Sequence, residues 1–339
     1  MSAPKSYLRG VLRALGTAGA VLAVAAFGIG VYVARTWDRV WDAPLPDLHA
    51  STDALVIARG EYFVYGPAHC AECHLASFDE FQKVARGEKP PLVGGSDFSA
   101  APLGVIYSKN LTPDPETGIG RYSDRQIARM MRYAVRPNGH ASVQPLMPFE
   151  NMSDEDVIAI ISYLRSRPAV NHQVPENNWT LIGKIVKSFA PVFKPRVTIN
   201  PPASAPTQQP SQERGEYLAR YVANCVGCHT SRNQLTFDVN GVEFAGGNEM
   251  EPIPFPEADP ATWYIPPNLT PQKGSALDKF PDRDTFVARF LKGGRQHAGS
   301  PMPWESFARM APEDIGALYE FFKSRTPAPG PVGDPRVFH

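Results

Sequence analysis

Hydrophobic and polar positions fall into three kinds of stretch along the chain. The first is an uncharged apolar run over residues 14–34, which includes Leu22, Val24, Phe27 and Ile29. Lys5, Arg9 and Arg13 precede it, Arg35 ends it, and Trp37 and Trp41 follow. About 20 residues suffice to cross a bilayer as a helix. Tryptophans belong at the membrane interface, and the basic residues put the N-terminus on the cytoplasmic side. A cleaved signal peptide is the alternative, with Ala23 and Ala25 as small residues near a cleavage point. Its apolar region is ordinarily only about 7–15 residues. The longer run and the tryptophans favour a retained single-pass anchor over residues 1–42.

The second kind places apolar residues at helical spacing. Residues 53–65 carry Leu55, Ala58 and Tyr62 in this way. Ser123-Asp124-Arg125-Gln126 reads as a capping box, followed by Ile127, Met130, Met131 and Ala134. A third helix starts near Ser153 with Val157, Ile160, Ile161 and Leu164 inward, and stops before Pro168. Further helices begin near Glu213, Pro281 and Pro312, the last with proline in its first turn and Ile315, Leu318, Tyr319 and Phe322 inward. Residues 179–193 set Ile182, Ile185, Val186 and Phe189 against Lys184 and Lys187. Such a segment lies on a membrane or packs its stripe against neighbouring domains, and packing is the commoner outcome. The third kind is proline-rich: a loop over 86–121 with glycine, a linker over 200–210 with alanine and glutamine, and an extended or loose tail over 327–339 with glycine.

The pattern repeats. Arg59-Gly60-Glu61-Tyr62 recurs as Arg214-Gly215-Glu216-Tyr217, 155 residues later. Asn110-Leu111-Thr112-Pro113 recurs as Asn268-Leu269-Thr270-Pro271 at 158, and Gly94-Gly95 as Gly246-Gly247 at 152. A fixed period with small compensating insertions marks two copies of one structural unit. The 339 residues are 43% hydrophobic with no net charge, so no basic excess exists to neutralise a nucleic acid. Thirty-five prolines favour helices and ordered loops over sheets. The expectation is an all-α chain: the N-terminal helix, one helical domain over 51–170, an amphipathic segment and linker over 171–211, a second domain over 212–326, and the tail.

Chemistry enters with Cys70-Ala71-Glu72-Cys73-His74 and Cys225-Val226-Gly227-Cys228-His229, again 155 apart. C-x-x-C-H is the c-type haem attachment signature. Cys70, Cys73, Cys225 and Cys228 would form the thioethers, and His74 and His229 would lie beneath the two irons. These motifs use all four cysteines of the chain, leaving none for a disulfide. Two zinc sites would need further ligands in step with each motif, for which only His140 and His297 qualify. Met147 in Leu146-Met147-Pro148-Phe149 and Met302 in Pro301-Met302-Pro303-Trp304 also share the 155 offset. They are the candidate sixth ligands. Met130, Met131, Met152, Met250 and Met310 read as core filling. His140 and His297 are a lesser pair of candidate ligands. His69 faces Asn224 in the other copy, which argues against an iron role, and His49, His172 and His339 lie outside the repeats. Asn110 and Asn268, like Asn151 and Asn178, fit the glycosylation pattern, but a shared place in the repeat favours a structural role for the first two.

Both halves resemble class I cytochrome c domains. The loop Asn110-Leu111-Thr112-Pro113-Asp114-Pro115-Glu116-Thr117-Gly118-Ile119-Gly120 is similar to that of cytochrome c subunits serving membrane-bound alcohol and gluconate dehydrogenases. The resemblance, over about residues 51–326, implies two covalent haem c groups and His/Met ligation by His74 with Met147 and His229 with Met302. This chain differs in having two haem motifs rather than three, and in its N-terminal anchor. The implied protein is no enzyme. It passes single electrons between a donor and an acceptor on the periplasmic side of a bacterial inner membrane. Its partners would be a dehydrogenase, a quinol-oxidising complex or a terminal oxidase. A dihaem peroxidase is the alternative, and would require one iron site to be open.

Overall fold

The computed structural model describes residues 5–77, 80–100, 102–144, 147–233, 238–253 and 257–338; Leu146 and His339 lie outside them. The apolar run forms α1 (Lys5–Thr36). It is the one helix among the described residues long and apolar enough to cross a membrane, and most of its apolar side chains are exposed, Val33 excepted.

Helix α2 (Ala54–Tyr65) starts where the Asp53 carboxylate accepts from the Leu55 and Val56 amides. The first cysteine motif forms the single turn α3 (Ala71–His74), followed by α4 (Phe81–Ala85). A hairpin of β1 (Asp97–Ala100) and β2 (Gly104–Tyr107) interrupts the long loop. The expected capping box opens α5 (Asp124–Tyr133), and Ser153 caps α6 (Asp154–Ser166). Strand β3 (Asn178–Trp179) then pairs with β2, and Thr180 caps α7 (Leu181–Phe189).

In the second half α8 (Gln212–Tyr217), capped by Ser211, runs into a π-helical turn at Leu218–Val222 and then α9 (Cys225–Cys228). Strand β4 (Thr262–Tyr264), α10 (Arg283–Lys292), α11 (Trp304–Phe307) and α12 (Pro312–Ser324) follow. The tail runs extended and ends in β5 (Arg336–Phe338), paired antiparallel to β4. The all-α expectation is therefore corrected: helices form the core, but among the described residues five short strands form two small sheets. Thr262-Trp263-Tyr264 is a proline-free run of β-branched and aromatic residues, which suits a strand even beside proline-rich loops.

The repeated Arg-Gly-Glu-Tyr explains itself at two helix crossings. A Cβ on Gly60 would stand 1.9 Å from the Ala159 carbonyl oxygen, and one on Gly215 2.0 Å from that of Ala317. Only glycine lets α2 approach α6, and α8 approach α12, this closely. Each arginine pairs with an aspartate of the helix it crosses: Arg59 with Asp156 at 2.6 Å and Arg214 with Asp314 at 2.8 Å. The tyrosines instead cross over. Tyr62 Oη donates to Asp314 at 2.6 Å, and Tyr217 Oη to Asp156 at 2.5 Å. Each half thus completes the buried carboxylate of the other, a pseudo-twofold exchange within one continuous hydrophobic core.

Helix α7 reverses the packed arrangement expected of it. Gly183, Lys187 and Ser188 turn inward, with Lys187 only 9% exposed at its side chain, while Leu181 is 72%, Ile182 50% and Phe189 49% exposed. The reason is local. Gly183 packs on the Leu103 carbonyl, and Lys184 and Lys187 lie over the Trp37 ring at 4.6 and 5.2 Å. Polar contacts with the end of α1 thereby take the inner face.

Candidate haem sites

The two cysteine motifs sit in matching surroundings. Each is entered through a left-handed residue, His69 with φ 39° and Asn224 with φ 51°. These are the pair related by the repeat, so His69 has a turn-forming role, with Nδ1 3.0 Å from the Pro67 carbonyl. Behind each histidine a glycine of the repeated Gly-Gly pair closes the turn. Gly94 N–H donates to the His74 carbonyl at 2.9 Å and Gly246 N–H to that of His229 at 2.8 Å. Both glycines have positive φ, and a Cβ on either would strike the backbone of the loop that follows.

That loop orients the imidazoles. His74 Nδ1 donates to the Lys109 carbonyl at 2.7 Å, and His229 Nδ1 to that of Pro267 at 2.8 Å. A carbonyl can only accept, so the proton lies on Nδ1 and the Nε2 lone pair is presented to a metal. Burial pulls both histidines below their usual range, His229 to about 4, against the opposing pull of the carbonyl. Burial thus favours the neutral form of each imidazole, the form in which a histidine can ligate a metal. Burial pushes the Cys70, Cys73 and Cys225 thiols up to about 12 and raises that of Cys228. Among the described residues no group of three or more His, Cys, Asp or Glu converges as a metal cage, so the zinc reading finds no ligand set.

The Asn-Leu-Thr-Pro pairs build the same loops from inside. Asn110 Oδ1 accepts from the Thr112 amide and hydroxyl while its Nδ2 donates to the Val170 carbonyl. Asn268, Thr270 and Ala328 repeat the arrangement. Both asparagines are buried, so their side chains are structural and not open to a glycan.

Met147 and Met302 are half-buried against the core. Their loops share a device that the sequence did not suggest. Arg196 donates to the Met147 carbonyl at 2.8 Å and pairs with Glu150 at 3.3 Å. Arg295 donates to the Met302 carbonyl at 2.6 Å and pairs with Glu305 at 2.7 Å. Glu150 and Glu305 each stand three residues after the methionine, which is the one signal the sequence offered. Arg295 also reaches Glu72 of the first motif at 3.3 Å, and Ser306 Oγ donates to Glu72 at 2.9 Å. Burial pushes the Glu72 carboxyl up to about 7, opposed by Arg295. The first cysteine motif and the second methionine loop are therefore in direct contact. His140 instead has Nδ1 3.2 Å from Asp38, and His297 packs near the Tyr264 ring.

No family model matches the chain. It is 31% identical over 250 residues to the cytochrome c subunit of alcohol dehydrogenase (quinone) from Gluconobacter oxydans, covering 72% of this chain and 48% of that subunit. It is 30% identical over 295 residues to the gluconate 2-dehydrogenase cytochrome c subunit of Pantoea cypripedii, covering 83% and 62%. It is 25% identical over 269 residues to a diheme cytochrome c-type protein of Cereibacter sphaeroides, covering 76% and 79%. The chain is a homologue of cytochrome c subunits. It spans about half the length of the dehydrogenase subunits it matches. Kinship with cytochromes c implies covalent haem c, and the residues fit that group: paired thiols without a disulfide, each followed by an imidazole that donates from Nδ1 and presents Nε2.

Proposed function

We propose that the chain is a membrane-tethered dihaem cytochrome c, with class I cytochrome domains over 51–170 and 212–326 and a single-pass anchor that leaves both on the periplasmic side. Cys70 and Cys73 hold one haem and Cys225 and Cys228 the other. His74 with Met147, and His229 with Met302, are the axial pairs. Haem iron supplies a one-electron couple, whose potential is set by axial ligands and burial. The chain's own residues do the rest. The Lys109 and Pro267 carbonyls fix the imidazoles, Arg196 and Arg295 steady the methionine loops, and the tyrosine exchange holds the two halves in one orientation. Electrons would pass from a dehydrogenase or other respiratory donor to an acceptor at the same membrane face, without substrate chemistry on this chain.

The observation that carries the reading is the matched pair of imidazole–carbonyl bonds, 2.7 and 2.8 Å, each behind a C-x-x-C-H turn. It supports two closed, similar sites over the asymmetric pair a peroxidase requires. The test is a pyridine haemochrome count on the denatured chain, joined to the methionine–iron charge-transfer band of the oxidised protein. Two haems per chain are expected, and Met147→Ala and Met302→Ala should each remove half of the band. A different count, a band intact in both variants, or a high-spin ferric signal with peroxide turnover would overturn the assignment.

A further inference from the structure

We propose that α7 is a second membrane contact, lying in the lipid–water interface beside the point where α1 leaves the bilayer. This rests on the reading of α1 as a membrane helix and adds a surface to it. The first observation is the reversed face. Leu181, Ile182, Ile185 and Phe189 form one stripe that stays exposed, meeting the described protein only where Phe189 touches α1, while the lysines point inward. A helix exposing its apolar stripe to water loses the burial that ordinarily holds it in place.

The second observation says what covers the stripe. Phe189 stacks on Tyr32 of α1, with ring centroids 5.1 Å apart. Tyr32 lies two residues before the end of the apolar run, which is about 3 Å along a helix. Phe189 is therefore level with the edge of the hydrocarbon. Interfacial helices bury their apolar face about 5–10 Å into this boundary. The third observation fixes the helix there: Lys187 Nζ is 3.2 Å from Asp38, and both lysines rest on Trp37, just beyond the membrane end of α1. The stripe is thus continuous with the surface that α1 gives to lipid, and the occupant is the bilayer itself.

The haem-loaded full chain, placed in nanodiscs of phosphatidylethanolamine and phosphatidylglycerol carrying an acyl-chain diazirine, provides the test. After irradiation, adducts are mapped by mass spectrometry. Adducts are expected on α1 and on residues 181–189, several-fold above α10, whose exposed Lys292 serves as the aqueous reference. Ile185→Glu should lower labelling of α7 and leave α1 unchanged. Labelled α1 with α7 at the level of α10 would overturn the proposal and assign the stripe to a protein partner. Labelled α7 with unlabelled α1 would uphold the membrane contact of α7 but overturn both the transmembrane tether and the placement of α7 beside it.

Discussion

The two halves share a plan but secure their methionine loops differently. Arg295 lies within the second copy, and at the 157-residue offset relating His140 to His297 its counterpart is Asn138. The first half takes Arg196 from the connecting segment, outside either repeat. The partners differ too. Arg295 and Glu305 are 6% and 4% exposed at their side chains, whereas Glu150 is 31% exposed. The cysteine motifs complete the contrast: the second has Gly227 where the first has Glu72. Gly227 leaves room for the Asn224 side chain, while Glu72 reaches into the other half to Arg295. The same loop in two copies is secured by different side chains, and the difference joins the first cysteine motif to the second methionine loop.

The sharpest way to break this comparison is to remove each arginine. Arg295→Leu strands Glu72 and Glu305, and should cost about 3–5 kcal/mol because buried charges lose their partner. Arg196→Leu should cost only about 1–2 kcal/mol, its glutamate being partly solvated. Denaturant titration reads both, and equal losses would show that the depth of the pair does not matter. Arg295→Leu should also weaken the charge-transfer band assigned to Met302, while Arg295→Lys restores part of it.

The tyrosine exchange predicts likeness where the arginines predict difference. Tyr62→Phe and Tyr217→Phe should each lose about 1.5–3 kcal/mol, the range for a hydrogen bond to a carboxylate. In calorimetry each variant should still melt as one unit. Loss confined to one half, seen as two separate transitions, would show that the exchange does not couple them.

The smallest effect is an acid-side one. Arg220 donates to Glu243 at 2.9 Å and holds its carboxyl below the usual range. A lowered folded value contributes stability above the ordinary carboxylate range, and that contribution fades as pH falls through the folded value. Tyr65 occupies the place of Arg220 in the first half, so this contribution is specific to the second. Glu243→Gln should flatten acid denaturation below about pH 4 by less than about 1 kcal/mol, since the pair is partly exposed. A chain whose acid limb is unchanged by the substitution would remove the pair from the account.

Much of this was legible in the sequence because it is local or periodic. The capping box at Ser123, the cap at Ser153 and the proline start at Pro312 are read from neighbours a few residues apart. The C-x-x-C-H turns and their 155-residue period announced the cofactor class. What stayed hidden depends on contacts between distant parts. Tyr62 and Tyr217 sit at core spacing in their helices, and nothing in that spacing says that each reaches the opposite aspartate. Arg196 has no counterpart in the repeat to draw attention to it. The stripe on α7 is plain from periodicity, yet periodicity does not say which side faces the protein. Lysines over Trp37 decide that, and tertiary contact is where the decision lies.

The crossed tyrosines also set an order in time. Asp156 leaves the ribosome 61 residues ahead of Tyr217, and Tyr62 252 residues ahead of Asp314. The first half therefore emerges with an acceptor awaiting its donor and a donor awaiting its acceptor, and contacts this distant in sequence close late. The Cys70-Ala71-Glu72-Cys73-His74 turn lies in this first half, so it emerges before Tyr217 and Asp314 can complete the crossed bonds. The nascent chain thus passes through a stage in which the first half is made but its crossed bonds are still open.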